Sequence, residues 1–337
     1  MPAEWHEQQF VQLTWPHEKS DWAYMLEEVE CCFIEIAKAI SCRERLLVVT
    51  PDKAKTEDTL REAGATMSNI VVFACETNDT WARDHGFITL LGDEKPHYLD
   101  FCFNGWGKKF ESSLDNAINK KIYDAGIVKG VYENMLEWVL EGGSIESDGK
   151  GTILTTSQCL MAPNRNNMLQ YNLEGAFCSL LRSKRVLWLD YGNLIGDDTD
   201  GHIDTIARFA PNDTIVYMQG NENDDEQYYD LKMMEHQLAT FRTDKGEPYR
   251  LLALPSPKPI YDEDGMRLPA TYANFLIMNG AILYPTYAQP ENDAIAAGVL
   301  KEAFPGYDIV GIDCRALIKQ HGSLHCVTMQ YPLNKKK

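Results

Sequence analysis

Basic residues are scarce in this chain: 32 Lys and Arg stand against 50 Asp and Glu, for a net charge of −18. A phosphate backbone repels such a surface, which argues against a nucleic-acid partner. An acidic surface can draw cations toward a cleft, although charge of one sign also simply keeps a protein soluble. A disulfide framework is missing as well. The nine cysteines (Cys31, Cys32, Cys42, Cys75, Cys102, Cys159, Cys178, Cys314 and Cys326) are odd in number, form no CxxC pair and in several cases sit inside apolar runs. That pattern fits free thiols in a reducing compartment, so a cytoplasmic location is expected. No apolar stretch approaches the roughly 20 residues that span a bilayer, and the opening MPAEWHEQQF has neither the basic start nor the apolar middle of a leader. No membrane role is expected. The closing Lys335-Lys336-Lys337 reads as a frayed charged end. A Pro/Gly/Ser-rich linker is also absent, so residues 1–337 are read as a single domain.

Apolar residues make up 44 % of the chain and charged residues 24 %, which is enough for a sizeable core. Trp22, Met25, Leu26, Val29, Phe33, Ile36, Ala37 and Ile40 recur at three- and four-residue steps and predict an amphipathic helix over 21–40. Ser20 or Asp21 can cap it. Strands are expected at Leu46–Thr50 and Ile70–Cys75, with a helical stretch around Ala54 to Ala63 between them. The same order returns for Ile153–Thr156 with Val186–Asp190, for Ile215–Met218 with Leu251–Leu254, and for Ala281–Tyr284 with Ile309–Ile312 around a helix near Asp293–Ala303. A weaker version lies between Tyr98 and Glu141. Strand–helix–strand units predict parallel pairing. Asn279-Gly280 predicts a hairpin with positive φ at both turn positions, so mixed sheets are expected. The acidic stretch Asn221 to Glu226 reads as an exposed loop or helix start.

The unusual polar clusters each follow the last strand of a unit. They are Asn78-Asp79-Thr80-Trp81-Ala82-Arg83-Asp84, Glu141-Gly142-Gly143, Asp197 to Asp204, and His321-Gly322-Ser323-Leu324-His325-Cys326. Loops on a rigid scaffold are where catalytic residues usually sit. If a strand runs through Ile203–Phe209, His202 and Asp204 point to one side, an arrangement suited to acid–base work beside a cation. A solvent-exposed polar turn is the alternative. An EF-hand reading of Asp197–Asp204 fails, because Gly201 at position six puts Gly196 at one and Ala207 at twelve. His321 and His325 have a zinc-ligand spacing, but Gly322 and Ser323 weaken a helix there. A loop entering a strand, with Cys326 at the junction and at a mouth, fits better. A lone cysteine is otherwise most often a buried apolar residue. Asp79 and Asp84 flank Trp81 and Arg83 and could be solvated charges. Glu141 could end a helix, with a glycine as its C-terminal cap.

Taken together, these motifs resemble the agmatine deiminase and bacterial-type peptidylarginine deiminase family of the guanidine-modifying superfamily. The resemblance also takes in Met1-Pro2-Ala3-Glu4-Trp5, Thr14-Trp15-Pro16-His17, Asn164-Arg165-Asn166 and Tyr272-Ala273-Asn274-Phe275, and covers nearly the whole chain. It implies an α/β propeller, the pentein fold, with five ββαβ units around a pseudo-fivefold axis. It implies Cys326 as nucleophile, His202 as general acid and base, Glu141 close by, and Asp84 and Asp204 as the carboxylates that grip a guanidinium. Asp79, Trp81 and Asn274 join Asp84 and Asp204 as expected substrate-binding residues. Trp15, Trp22 and Trp106 are further candidates for stacking on a cation. The expected reaction is hydrolysis of agmatine to N-carbamoylputrescine and ammonia through a thiouronium adduct on Cys326, with free or C-terminal arginine as the alternative substrate. No cofactor and no metal are expected, the partner is a small cationic guanidine compound, and a homo-oligomer is left open. One departure is Leu324, in a Gly-Ser-Leu-His-Cys run where many agmatine deiminases are richer in glycine.

Overall fold

The computed structural model describes residues 1–223 and 226–334. Asp224 and Asp225 of the acidic stretch, and the Lys335–Lys337 tail, lie outside the described residues. Among the described residues the strands form five small sheets, one of four strands and four of three. The four three-stranded sheets repeat one pattern, in which a middle strand pairs antiparallel with the strand before it and parallel with the strand after it. They are Ile88–Leu90, His97–Cys102 and Val131–Val139; Ile145–Ser147, Thr152–Thr156 and Arg185–Leu189; Ala207–Ala210, Thr214–Met218 and Arg250–Leu254; and Leu276–Met278, Ala281–Thr286 and Asp308–Asp313. A helix joins each parallel pair: Ile118–Asp124, Gln170–Leu180, Tyr228–Thr240 and Pro290–Ala303. The four-stranded sheet follows the same rule through a closure. Its strand Gln8–Thr14 pairs parallel with Leu46–Thr50 and antiparallel with Thr328–Pro332, and Ile70–Ala74 extends the far edge.

The expected strands and helices are found within a few residues of their sequence-read bounds. The periodic stripe becomes a 3₁₀ turn, Asp21–Met25, followed by the helix Leu26–Ser41, which buries Val29, Phe33, Ile36 and Ile40. Val131–Val139 was weak in sequence because it is half-exposed, with Val131 and Leu136 facing solvent. The Asn279-Gly280 hairpin forms, but only Gly280 has a positive φ (73°). The turn therefore differs from the expected type with two positive φ angles.

The chain divides into two compact units. One comprises His6–Gly142 and the segment from His325; the other comprises Met1–Trp5 and Gly143–Leu324. The second unit contains an apolar cluster that includes Leu189, Ile203, Ile206, Phe209, Ile215, Met218, Leu231 and Met234. It also contains a fully buried cation. Arg208 sits in the otherwise apolar strand Ala207–Ala210 and is 0 % exposed. Its guanidinium donates to Glu146, to Glu4 at 2.5 Å, and to the carbonyls of Phe275 and Ala273 at 2.6 and 3.3 Å. Glu146 and Glu4 also accept the amides of Phe209 (3.1 Å) and Ile277 (2.9 Å). The guanidinium lies 4.6 Å from the centre of the Phe275 ring. Burial alone would lower the pKa of Arg208, but Glu146, Glu4 and Asp204 more than offset this and raise it. Removing one partner of such a group leaves uncompensated charge in the core. Arg208→Leu is expected to cost about 3–5 kcal/mol of stability, seen as a lower urea midpoint, whereas an unchanged midpoint would show the cluster to be dispensable.

Candidate active site

The sequence-predicted residues fall into two groups, one in each unit. In the unit built on His6–Gly142, the loop after Ile70–Ala74 carries Asp79, Trp81 and Asp84. The Asp79 carboxylate organises this loop, accepting the Thr80 amide at 2.8 Å, the Thr80 hydroxyl at 3.3 Å and the Trp81 indole N–H at 3.0 Å. Asp115 braces it from outside by accepting the amides of Asn78 and Asp79 at 2.7 and 3.0 Å. In return, the Asn78 side-chain oxygen accepts the amide of Leu114 at 2.8 Å. Asp84 follows on a short turn, Ala82–His85, and is buried, so the solvated-charge alternative does not hold for it. Its Oδ2 accepts the Trp106 indole N–H at 3.0 Å.

Arg83 ties this loop to the cysteine. Its amide donates to the Cys326 carbonyl (3.1 Å), and its side chain donates to the His325 carbonyl (3.4 Å) and Gln330 Oε1 (2.6 Å). Cys326 sits in the loop that enters Thr328–Pro332, as expected, and is 4 % exposed. Glu141 is also buried. It follows a strand rather than ending a helix, so the capping alternative fails. The reason for the next glycine is steric: a Cβ on Gly142 would lie 2.2 Å from the Arg83 carbonyl oxygen. Trp15 and Trp22 are core residues whose indoles donate to Glu30 (3.1 Å) and Thr80 (3.0 Å). A cavity of about 140 Å³ opens in this unit, walled by Phe103, Trp106 and Asp21 and reaching Lys19, Asp79 and Asp115.

In the other unit, His202, Asp204 and Asn274 are each fully buried, so the solvent-exposed turn is excluded. The expected strand through Ile203–Phe209 is corrected. Ile203–Thr205 is a 3₁₀ turn and the strand begins at Ala207. Hydroxyls account for the turn: the His202 amide donates to Thr199 Oγ1 (3.0 Å), and Thr205 Oγ1 donates to the His202 carbonyl (2.8 Å). Asp197 orders the loop before it, accepting the Thr199 hydroxyl at 2.6 Å and the Gly201 amide at 2.8 Å. Arg165 clamps the same loop from the Asn164-Arg165-Asn166 segment, reaching Asp200 at 3.0 Å and the Thr199 carbonyl at 3.1 Å. Asp200 holds φ 67° there. Asn274 Nδ2 donates to the Asp204 backbone carbonyl at 3.4 Å, and Arg208 holds the carbonyls on either side of Asn274.

Sequence reading missed Asp115, Arg165 as a clamp, Arg208, and the bond from Trp106 to Asp84. Arg208 left a signal, since a cation inside an apolar strand must be buried and paired. Asp115 left none.

Burial pushes Asp79 up to about 6 against the pull of the Thr80 amide, and it pushes Asp197 up to about 6 against the Thr199 hydroxyl and Gly201 amide. Burial also raises Asp115 well above the usual range, with the Asp79 charge adding to it. The folded chain therefore holds protons on Asp79 and Asp197 that the unfolded chain releases near 3.8. For these groups stability falls as pH rises through that window and levels off above about 6. Asp197→Asn should flatten the decline in Tm between about pH 4 and about pH 6. Equal slopes for the native chain and the variant would show that Asp197 titrates normally.

A family model described as Porphyromonas-type peptidyl-arginine deiminase matches residues 1–332. A Legionella pneumophila (strain Paris) protein, provisionally named an agmatine deiminase, is 31 % identical over 341 residues, covering 100 % of this chain and 96 % of that protein. Among solved structures, a Porphyromonas gingivalis protein provisionally named an arginine deiminase is 51 % identical, with a TM-score of 0.93 over 99 % of this chain and 98 % of that one. A C. jejuni agmatine deiminase, solved as a Cys→Ser variant with substrate bound, is 38 % identical, with a TM-score of 0.90 over 99 % of this chain and 96 % of that one. Sequence motifs, mixed sheets and whole-length similarity agree, and the chain belongs to the Porphyromonas-type peptidyl-arginine deiminase family, a family of hydrolases that act on C–N bonds.

Proposed function

We propose that the chain hydrolyses the guanidinium of agmatine to N-carbamoylputrescine and ammonia. The observation that carries this reading is the tether between the Asp84 loop and the cysteine: the amide of Arg83, the residue next to buried Asp84, holds the Cys326 carbonyl. A carboxylate suited to a guanidinium is thereby fixed in register with a thiol suited to attack it.

A guanidinium is planar and resonance-stabilised, hence a poor electrophile. In the proposed reaction Asp84 and Asp204 hold it by paired hydrogen bonds and set its plane. The Cys326 thiolate attacks the central carbon and forms a C–S bond. His202 protonates one nitrogen, the C–N bond breaks and ammonia leaves, with a thiouronium adduct remaining on Cys326. His202 next takes a proton from a water that attacks the same carbon. The C–S bond breaks, the sulfur regains its proton and the ureido product departs. Glu141 steadies His202, while Asp79, Trp81 and Asn274 shape the substrate's surroundings. The steps use protein groups and water alone, so no cofactor or metal enters them. The reading requires the His202 group and the Cys326 group to act on one guanidinium. That requirement matches a single domain with its five repeats in a pseudo-fivefold propeller. The free thiols support a cytoplasmic location.

Agmatine is favoured over arginine on charge. Asp21, Asp79 and Glu111 line the cavity beside Trp106 as acids, with Lys19 as the one cation among its lining residues, while Asp115, raised well above the usual range by burial, adds a polar group and not a full charge. Such walls suit an amine and oppose a carboxylate. Arginine, free or at a peptide C-terminus, is the second reading, favoured by the 51 % identity to a protein provisionally named an arginine deiminase. Ammonia and ureido-product release from agmatine should be lost by more than about a thousandfold in Cys326→Ser with the fold intact. Normal turnover by that variant would remove Cys326 as nucleophile. Assayed side by side, agmatine should exceed free arginine and an arginine-ended peptide in kcat/KM, and the reverse order would overturn the substrate assignment.

A further inference from the structure

Trp106 occupies an unusual piece of backbone. Gly105, Trp106, Gly107 and Lys108 have φ of 65°, 51°, 88° and 69°, a full left-handed turn. Asn104 caps it, its side-chain oxygen accepting the Gly107 amide and its carbonyl the Lys108 amide, both at 2.8 Å. Glycine adopts this conformation freely, and short polar residues adopt it with local help. A tryptophan has no such help, and a strained residue retained at a site calls for an account of what its side chain does there.

The side chain is held as tightly as the backbone. The indole meets Phe103, Phe110 and Trp81 edge-on, at centroid distances of 5.0, 5.6 and 6.3 Å and interplanar angles of 82°, 87° and 78°. Fixed in this way, its N–H donates to Asp84 Oδ2 at 3.0 Å. An indole N–H is a donor only, so this contact fixes the Asp84 oxygen as its acceptor.

We propose that Trp106 is a positioning residue for guanidine hydrolysis. Its indole N–H locks the plane of the Asp84 carboxylate, so that a bound guanidinium presents its central carbon in one orientation. The inference rests on the proposed role of Asp84. Misorientation of a bound reactant slows chemistry more than it weakens binding. A residue that merely filled space would alter stability or KM and leave kcat alone.

The test combines turnover with an activity-free readout. Trp106→Phe keeps an aromatic ring and deletes the N–H. With agmatine, kcat should fall about 10- to 100-fold while KM moves less than about threefold, with thermal melting confirming a folded chain. An unchanged kcat, or a loss confined to KM, overturns the inference. Separately, the ¹⁵N-indole spectrum of the chain's seven tryptophans identifies the Trp106 signal as the one lost in Trp106→Phe. That signal should move in Asp84→Asn, and an unmoved signal also overturns the inference. If the native chain releases no ammonia from agmatine or arginine, the reading of function fails. The indole signal then decides the Trp106–Asp84 lock independently.

Discussion

One buried cation sets the terms for the unit that carries His202. An arginine taken wholly out of water is tolerable only if carboxylates and carbonyls replace its hydration. Arg208 recruits those groups from distant parts of the chain: Glu4 near the start, Glu146 on the strand Ile145–Ser147, and the carbonyls on either side of Asn274. Satisfying one guanidinium thus pins the opening residues, aligns a neighbouring sheet and orients the segment that reaches Asp204. The protein solves internally the recognition problem it is proposed to solve for its substrate. Around Arg208 paired carboxylates meet a planar cation, as they are proposed to do around the substrate, and two backbone carbonyls complete the contact.

The loops bearing the proposed catalytic groups share a second device. Asp79 and Asp197 each open such a loop and fold it by accepting amides and hydroxyls from the next few residues. A carboxylate can gather several donors at once, which makes it a compact organiser of irregular backbone. Burial raises both above their usual range, so the cost of the device is a site that prefers to keep protons. Asp115 and Arg165 stiffen the same loops from outside. Precision in these loops comes from polar bracing, as regular secondary structure is nearly absent from them.

The sequence was most informative where physics is local. Short apolar runs located Leu46–Thr50 and Thr214–Met218, and a three-to-four-residue period located the helix Leu26–Ser41, with small errors at the ends. Polar clusters after each unit's last strand marked the loops that carry Asp84, Glu141, His202 and Cys326. Pattern reading failed where particular side-chain bonds, near or far in the sequence, decide the conformation. The residues after His202 leave the strand pattern because Thr199 and Thr205 bond around that residue. The Asn279-Gly280 turn was expected in a more demanding form than it adopts. Nothing near Asp115 announces that it will cap amides 36 and 37 residues away. In sequence Trp106 stood beside Trp15 and Trp22 as a candidate for stacking on a cation, and its left-handed backbone and its bond to Asp84 set it apart from them.

The four-stranded sheet is closed by two strands from opposite ends of the sequence. Gln12 and Tyr331, bonded to each other across that seam, are 319 residues apart. Cys326 stands just before the later strand, and its carbonyl is anchored by Arg83 in the same unit. During synthesis, therefore, the segment bearing the thiol is the last of these parts to be made and the last to dock. Until it does, Gln8–Thr14 keeps an open edge, a hazard for misassociation that the final strand removes. If the proposed reaction holds, a nascent chain carries Asp84 before it carries Cys326, and the proposed nucleophile joins that carboxylate in the same step that seals the sheet.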